Sequence, residues 1–168
     1  NIDAQNKFGD TALIKASFNG QDDIVKILLD ANASLNMQDN FGHTALIDAS
    51  RQGYDKVAKQ LIDAKANLNI QNIYGKTALI LASFYNHSDI VKLLVNAGAN
   101  RNIKDNDGKT ALMYAAENGD YNSVEYLINA GADINILDKS SKNALMFAME
   151  NGNLDIVDLI TKVSLNNR

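Results

Sequence analysis

The chain contains no cysteine in its 168 residues, which excludes a disulfide framework, a thiolate metal centre and a cysteine nucleophile. That absence fits a reducing compartment, and an intracellular, cytoplasmic location is the expectation. Proline is absent too, so no helix start is preset by a pyrrolidine ring. Positive charge is in deficit: 16 Lys and Arg stand against 20 Asp and Glu, a net charge of -4, with an isoelectric point near 5.0. Such a chain lacks the field that binding a phosphate backbone requires, so nucleic acid is not an expected partner. No run approaches the ~18 consecutive apolar residues of a membrane-spanning helix, and no charged-then-apolar leader opens the sequence.

The chemistry of catalysis is equally sparse. Histidine occurs only twice, His43 near a turn and His87 between helices, and both read as solvated side chains rather than as a metal site or dyad. Gly-rich phosphate loops, Gly-x-Ser-x-Gly elbows and His-Glu-x-x-His motifs do not occur. Asp105-Asn-Asp-Gly108 opens like a calcium loop, but the twelfth position, which must supply a Glu, is Ala116. Asn32-Ala-Ser34 and Asn86-His-Ser88 fit the glycosylation acceptor pattern and are incidental in so Asn-rich a chain. No enzyme activity, cofactor or metal is expected.

What is present is a repeat. Gly9, Gly42, Gly75 and Gly108 recur every 33 residues, with Ser141 next in register. Thr11, Thr44, Thr77 and Thr110 share that interval, with Asn143 fifth; Leu13, Leu46, Leu79, Leu112 and Leu145 share it without a break, as do Ala16, Ala49, Ala82, Ala115 and Ala148. Leu28, Leu61, Leu94, Leu127 and Ile160 occupy one later phase. In residues 72–104, Thr77 to Phe84 reads as a short helix with Leu79, Ala82 and Ser83 on its packed side. After a polar break at residues 86–89, Ile90 to Val95 reads as a second helix that Gly98 stops. The stretch from Ala99 to Gly108, rich in Asn, Asp and Gly, reads as the turn into the next unit. One helix pair cannot close its own core, so neighbouring units must stack.

These residues resemble the ankyrin repeat, best in residues 105–137: Asp105, Gly108, Thr110, Leu112, Ala115, Ala116, Gly119, Val124, Leu127 and then Gly131-Ala-Asp-Ile-Asn135. The resemblance covers almost the whole chain. It implies an all-α solenoid of about five stacked helix-turn-helix units with β-hairpin-like turns, forming a single domain over residues 1–168. Residues 1–5 read as the tail of a missing upstream unit, 6–38, 39–71, 72–104 and 105–137 as full repeats, and 138–168 as a C-terminal cap. The cap reading rests on the polar Thr161 and on a final helix followed by Ser164 to Arg168 without the closing Gly-Ala-Asp. Departures from the family pattern are regular. Its Pro is Ala12, Ala45, Ala78, Ala111 and Ala144; its His is Ile14, Ile47, Ile80, Met113 and Met146. Softer helix starts are expected from both. Asn32 and Lys65 replace helix-ending glycines, and Asn86 a mid-unit glycine. The recurring Asn36, Asn69, Asn102 and Asn135 are expected to make turn hydrogen bonds.

The family's usual activity is protein recognition, and the resemblance places turn tips and first helices on one concave side. Positions that vary there are not random. The tips carry Phe8, Phe41, Tyr74, Asp107 and Ser140; the first helices end in Phe18, Arg51, Phe84, Glu117 and Glu150, with Tyr85 following Phe84. Residues 72–104, which include Lys76, carry a balance of +3, and residues 105–137 one of -5. Phe8, Phe18, Phe41, Arg51, Tyr74, Lys76, Phe84, Tyr85, Asp107 and Glu117 are therefore the candidate partner-binding residues of a monomeric interaction module. The alternative is a regulatory or spacer segment of a larger, enzymatic polypeptide.

Overall fold

A computed structural model describes residues 1–166. Among them it contains ten helices and no strand: α1 (Ala12–Phe18), α2 (Asp22–Asp30), α3 (Ala45–Gln52), α4 (Asp55–Asp63), α5 (Ala78–Phe84), α6 (Ser88–Asn96), α7 (Ala111–Asn118), α8 (Tyr121–Asn129), α9 (Ala144–Glu150) and α10 (Leu154–Asn166). The odd-numbered helices pack in one row, each on the next, and the even-numbered helices form a second row behind it.

Each first helix starts on a side-chain cap. Thr11, Thr44, Thr77, Thr110 and Asn143 sit in extended backbone and accept a hydrogen bond from the amide three residues on. Such caps are worth about 1 kcal/mol each. The starts thus keep a side-chain cap without Pro or His, while Ile14, Ile47, Ile80 and Met113 are buried where the family's His stands. Met146 is instead 43% exposed, since among the described residues no helix packs on that side of α9.

The second helices begin earlier than their apolar run: α6 starts at Ser88, not Ile90. Asp89, like Asp22, Asp23 and Asp55, occupies the first turn, where free amides and the helix dipole favour a carboxylate. The predicted chain reversals are present. Asn32 and Lys65 adopt left-handed backbone beside α2 and α4, at φ 57° and 70°, as Gly98 does beside α6. Only α10 runs on, through Ser164 and Leu165, since no left-handed residue interrupts it.

The β-hairpin character expected of the connections shrinks to tight turns. The amide of Asp39 donates to the His43 carbonyl at 2.9 Å, and a single backbone bond joins neighbouring tips, from the Asn40 amide to the Phe8 carbonyl at 3.0 Å. The equivalent bonds recur at Ile73–Phe41, Asn106–Tyr74 and Lys139–Asp107. The recurring asparagines add a ladder on the far side of each turn. Asn36, Asn69 and Asn102 accept from the amides of Asn67, Asn100 and Asp133, each at 2.9 Å. The core lies between the helix rows, where Leu13, Leu46, Leu79 and Leu112 meet Leu61, Leu94 and Leu127, all essentially inaccessible. Burying each such side chain stabilises the fold by about 1.5–3 kcal/mol.

Candidate functional site: a groove between turn tips and first helices

The tip rings stand out from the molecule because the turn beneath them is rigid. Residue 39 shows the device: the Asp39 Oδ1 accepts from the amides of Phe41 and His43 at 2.8 and 2.7 Å. Asn6 and Asn72 do the same for Phe8 with Asp10 and for Tyr74 with Lys76. With the backbone so bound, Phe8, Phe41 and Tyr74 project and are 53, 51 and 55% exposed. Opposite them stand the ends of the first helices. The space between is a groove of about 430 Å³ lined by Phe8, Phe18, Phe41, Arg51 and Tyr74 among others. A narrower recess of about 190 Å³ shares Arg51 and Tyr74 with it and adds Lys76, Phe84 and Tyr85.

Eight of the ten candidate residues therefore line one continuous surface. Asp107 and Glu117 line neither part. Asp107 is exposed at the fourth tip, and the Glu117 carboxylate accepts from the Lys109 amine at 2.8 Å. Lys142 and Glu150 repeat that pair at 2.7 Å one unit later. In the last two units the helix-end carboxylates of this side are thus paired internally, and the two recesses described are lined by residues of the first three.

Not every groove residue is idle. The Lys76 amine donates to the Tyr114 hydroxyl at 2.7 Å and lies 3.5 Å from Asp105, both in the following unit. One charge from each side of the step between residues 72–104 and 105–137 is paired in this contact. Burial holds the Lys76 amine below its ordinary range, against the opposing pull of Asp105. The Tyr114 phenol is pushed far up, first by burial and then by its hydrogen bond to Asp105. Phe84 stacks edge-on against Tyr114, centroids 5.2 Å apart, and so covers an inter-unit gap while remaining 40% exposed. Phe18 carries Arg51 at 5.3 Å from its centroid and Phe8 carries Lys7 at 4.9 Å, while Tyr85 packs edge-on against Phe84 with centroids 4.8 Å apart.

The two histidines differ from expectation, since neither is simply solvated. His87 sits against Gly53 with Nε2 3.2 Å from the Arg51 carbonyl, bridging two units. His43 lines the groove with Nδ1 3.2 Å from Asp48 and 3.8 Å from Asp39. Together Asp39, His43 and Asp48 bring one nitrogen and two oxygen donors within 4.8 Å of one another. Sequence reasoning missed this cluster, although a signal existed. Asp48 occupies a buried first-helix position that holds Leu81, Tyr114 and Phe147 in later units.

The sequence pattern of a family described as ankyrin repeats (3 copies) matches residues 1–72, 57–138 and 79–168. No curated protein matches the chain.

Proposed function

Because the chain belongs to the ankyrin-repeat family, whose members generally serve as protein–protein interaction modules, we propose that it is a five-unit array binding a protein partner along the groove of its first three units. The observation that carries this reading is the concentration of exposed rings on one side. Phe8, Phe41 and Tyr74 stand on rigid turns opposite Phe18, Arg51 and Phe84, with Tyr85 at the far end. Contiguous exposed apolar surface of this kind anchors interfaces, where single aromatic or Arg residues contribute about 2 kcal/mol or more. The turns that carry the rings are also preorganised, so binding forfeits little backbone entropy. A folded domain or a peptide segment fits such a surface without any cofactor. The net negative charge and the lack of a basic stripe disfavour nucleic acid.

The test is capture of partners from lysate of the source organism with the wild-type chain and with Phe41→Ala, Tyr74→Ala and Phe84→Ala combined. Circular dichroism verifies that the variant is folded. Because Phe84 also packs on Tyr114, the pair Phe41→Ala and Tyr74→Ala is run beside it. Loss of a specific partner from both variants supports the groove. Retention of that partner by the folded variants refutes it and favours a spacer role.

A further inference from the structure

We propose that Asp39, His43 and Asp48 form a site for one divalent transition-metal ion, of which Zn²⁺ is the representative, on the wall of the groove. Three observations converge. The first is geometric. The His43 Nδ1 lies 3.2 Å from Asp48 Oδ1 and 3.8 Å from Asp39 Oδ2. An ion placed about 2.0–2.2 Å from an imidazole nitrogen and two carboxylate oxygens spaces its donors at about this separation. A mixed set of one imidazole and two carboxylates suits Zn²⁺ and its first-row neighbours, and the absence of thiolate argues against softer ions.

The second observation is a carboxylate oxygen turned to the imidazole. The Asp39 side chain is 8% exposed. Its Oδ1 is taken by the Phe41 and His43 amides, whereas Oδ2 takes no hydrogen bond among the described residues and stands 3.8 Å from His43 Nδ1. The Asp48 side chain is 4% exposed, also beyond nine-tenths buried.

The third observation is that two of the three donors are peculiar to this unit. Asp39 holds the turn position that Asp105 and Asp138 also fill and that is Asn6 and Asn72 in the units on either side, whereas His43 stands where the other units carry Asp10, Lys76, Lys109 and Lys142, and Asp48 where they carry Lys15, Leu81, Tyr114 and Phe147. Both departures fall in one unit and meet Asp39 at one point.

A cation already stands close by: the Arg51 guanidinium is 3.3 Å from Asp48 Oδ1 and rests on the Phe18 ring. It partly neutralises the carboxylates, and an incoming dication must displace it from Asp48. That displacement weakens binding relative to a closed four-ligand site. The remaining coordination positions face the groove, open to water or to a carboxylate or imidazole from a bound partner.

Isothermal titration of the chain with Zn²⁺ alone tests the assignment without any partner, so it stands or falls separately from the recognition function. The chosen variants install residues that neighbouring units already carry: Asp39→Asn, which keeps the turn acceptor, and His43→Lys. Circular dichroism and thermal unfolding verify folding. One ion per chain is expected in the wild type, with affinity lowered at least about tenfold in each variant. Absence of a saturable one-to-one site in the wild type, or equal affinity in the folded variants, overturns the proposal.

Discussion

Ser17, Ser50 and Ser83 stand at one position of three successive first helices, each with no measurable exposure, and none of their hydroxyls has a hydrogen-bond partner. In the fourth unit the same position is Ala116, equally buried. Replacing Ser83 by Ala removes a buried unsatisfied hydroxyl without changing the backbone or opening space larger than one oxygen. Leaving such a group unpaired costs about 1–3 kcal/mol, and Ala is also the better helix former by a few tenths of a kcal/mol. Relief of the lower figure is the safer expectation, because local water or a bent helix turn recovers part of the penalty. Ser83→Ala is therefore predicted to stabilise the chain by about 1 kcal/mol, raising Tm by roughly 2–4 °C. The three sites lie in separate units, so Ser17→Ala, Ser50→Ala and Ser83→Ala together approach additivity. Urea and thermal unfolding, followed by far-ultraviolet circular dichroism, measure the change. A loss of stability in any single Ser→Ala variant would show that the hydroxyl is hydrogen-bonded in solution and refute the reasoning.

Two further predictions follow from the inter-unit contacts. The Tyr114 phenol has its pKa raised on folding by burial and by Asp105. Its stabilising effect is thus complete below the unfolded value near 10.0 and is lost as pH rises above it. Lys76, whose pKa is lowered, works in the opposite sense as pH approaches 10.5. Stability measured from pH 8 to 11 should fall more steeply in the wild type than in Tyr114→Phe; parallel curves would contradict this. At Gly53, φ is +81° and a Cβ would meet the His87 ring at 2.6 Å, whereas at Gly98, φ is +87° with nothing within 4 Å. Gly98→Ala should cost only the left-handed penalty of about 1–2 kcal/mol. Gly53→Ala should cost about 1–3 kcal/mol more through crowding; equal losses in chemical denaturation would refute the contact.

The recurrence of Gly, Thr, Leu and Ala at one interval was enough to read an all-helical repeat, because each of those residues performs a local task. Thr77 caps the helix that follows it, Leu79 fills a core that only a neighbouring helix can close, and Ala82 permits close approach. Local tasks are written in local sequence. The aromatic series at positions 8, 41 and 74 was legible for the same reason: a residue at a fixed turn position has a fixed direction. The extent of α6 was misjudged by two residues at its start, since polar Ser88 and Asp89 satisfy a helix terminus as readily as a loop.

Tertiary structure alone decided which charged groups remain available. Lys76 and Glu117 read as partner-binding candidates in the sequence, yet Lys76 is engaged by Tyr114 and Asp105, and Glu117 by Lys109. His43 and Asp48 lie five positions apart, and nothing in that spacing sets their ring and carboxylate 3.2 Å apart, with Asp39 alongside. Their meeting depends on how the turn folds back over the first helix. Sequence periodicity determined where each backbone element lies, because hydrophobic burial and capping act within one unit and its neighbour. The pairing of polar side chains was decided only by the folded geometry, because hydrogen bonds and ion pairs are resolved at distances of about 3 Å that no periodicity encodes.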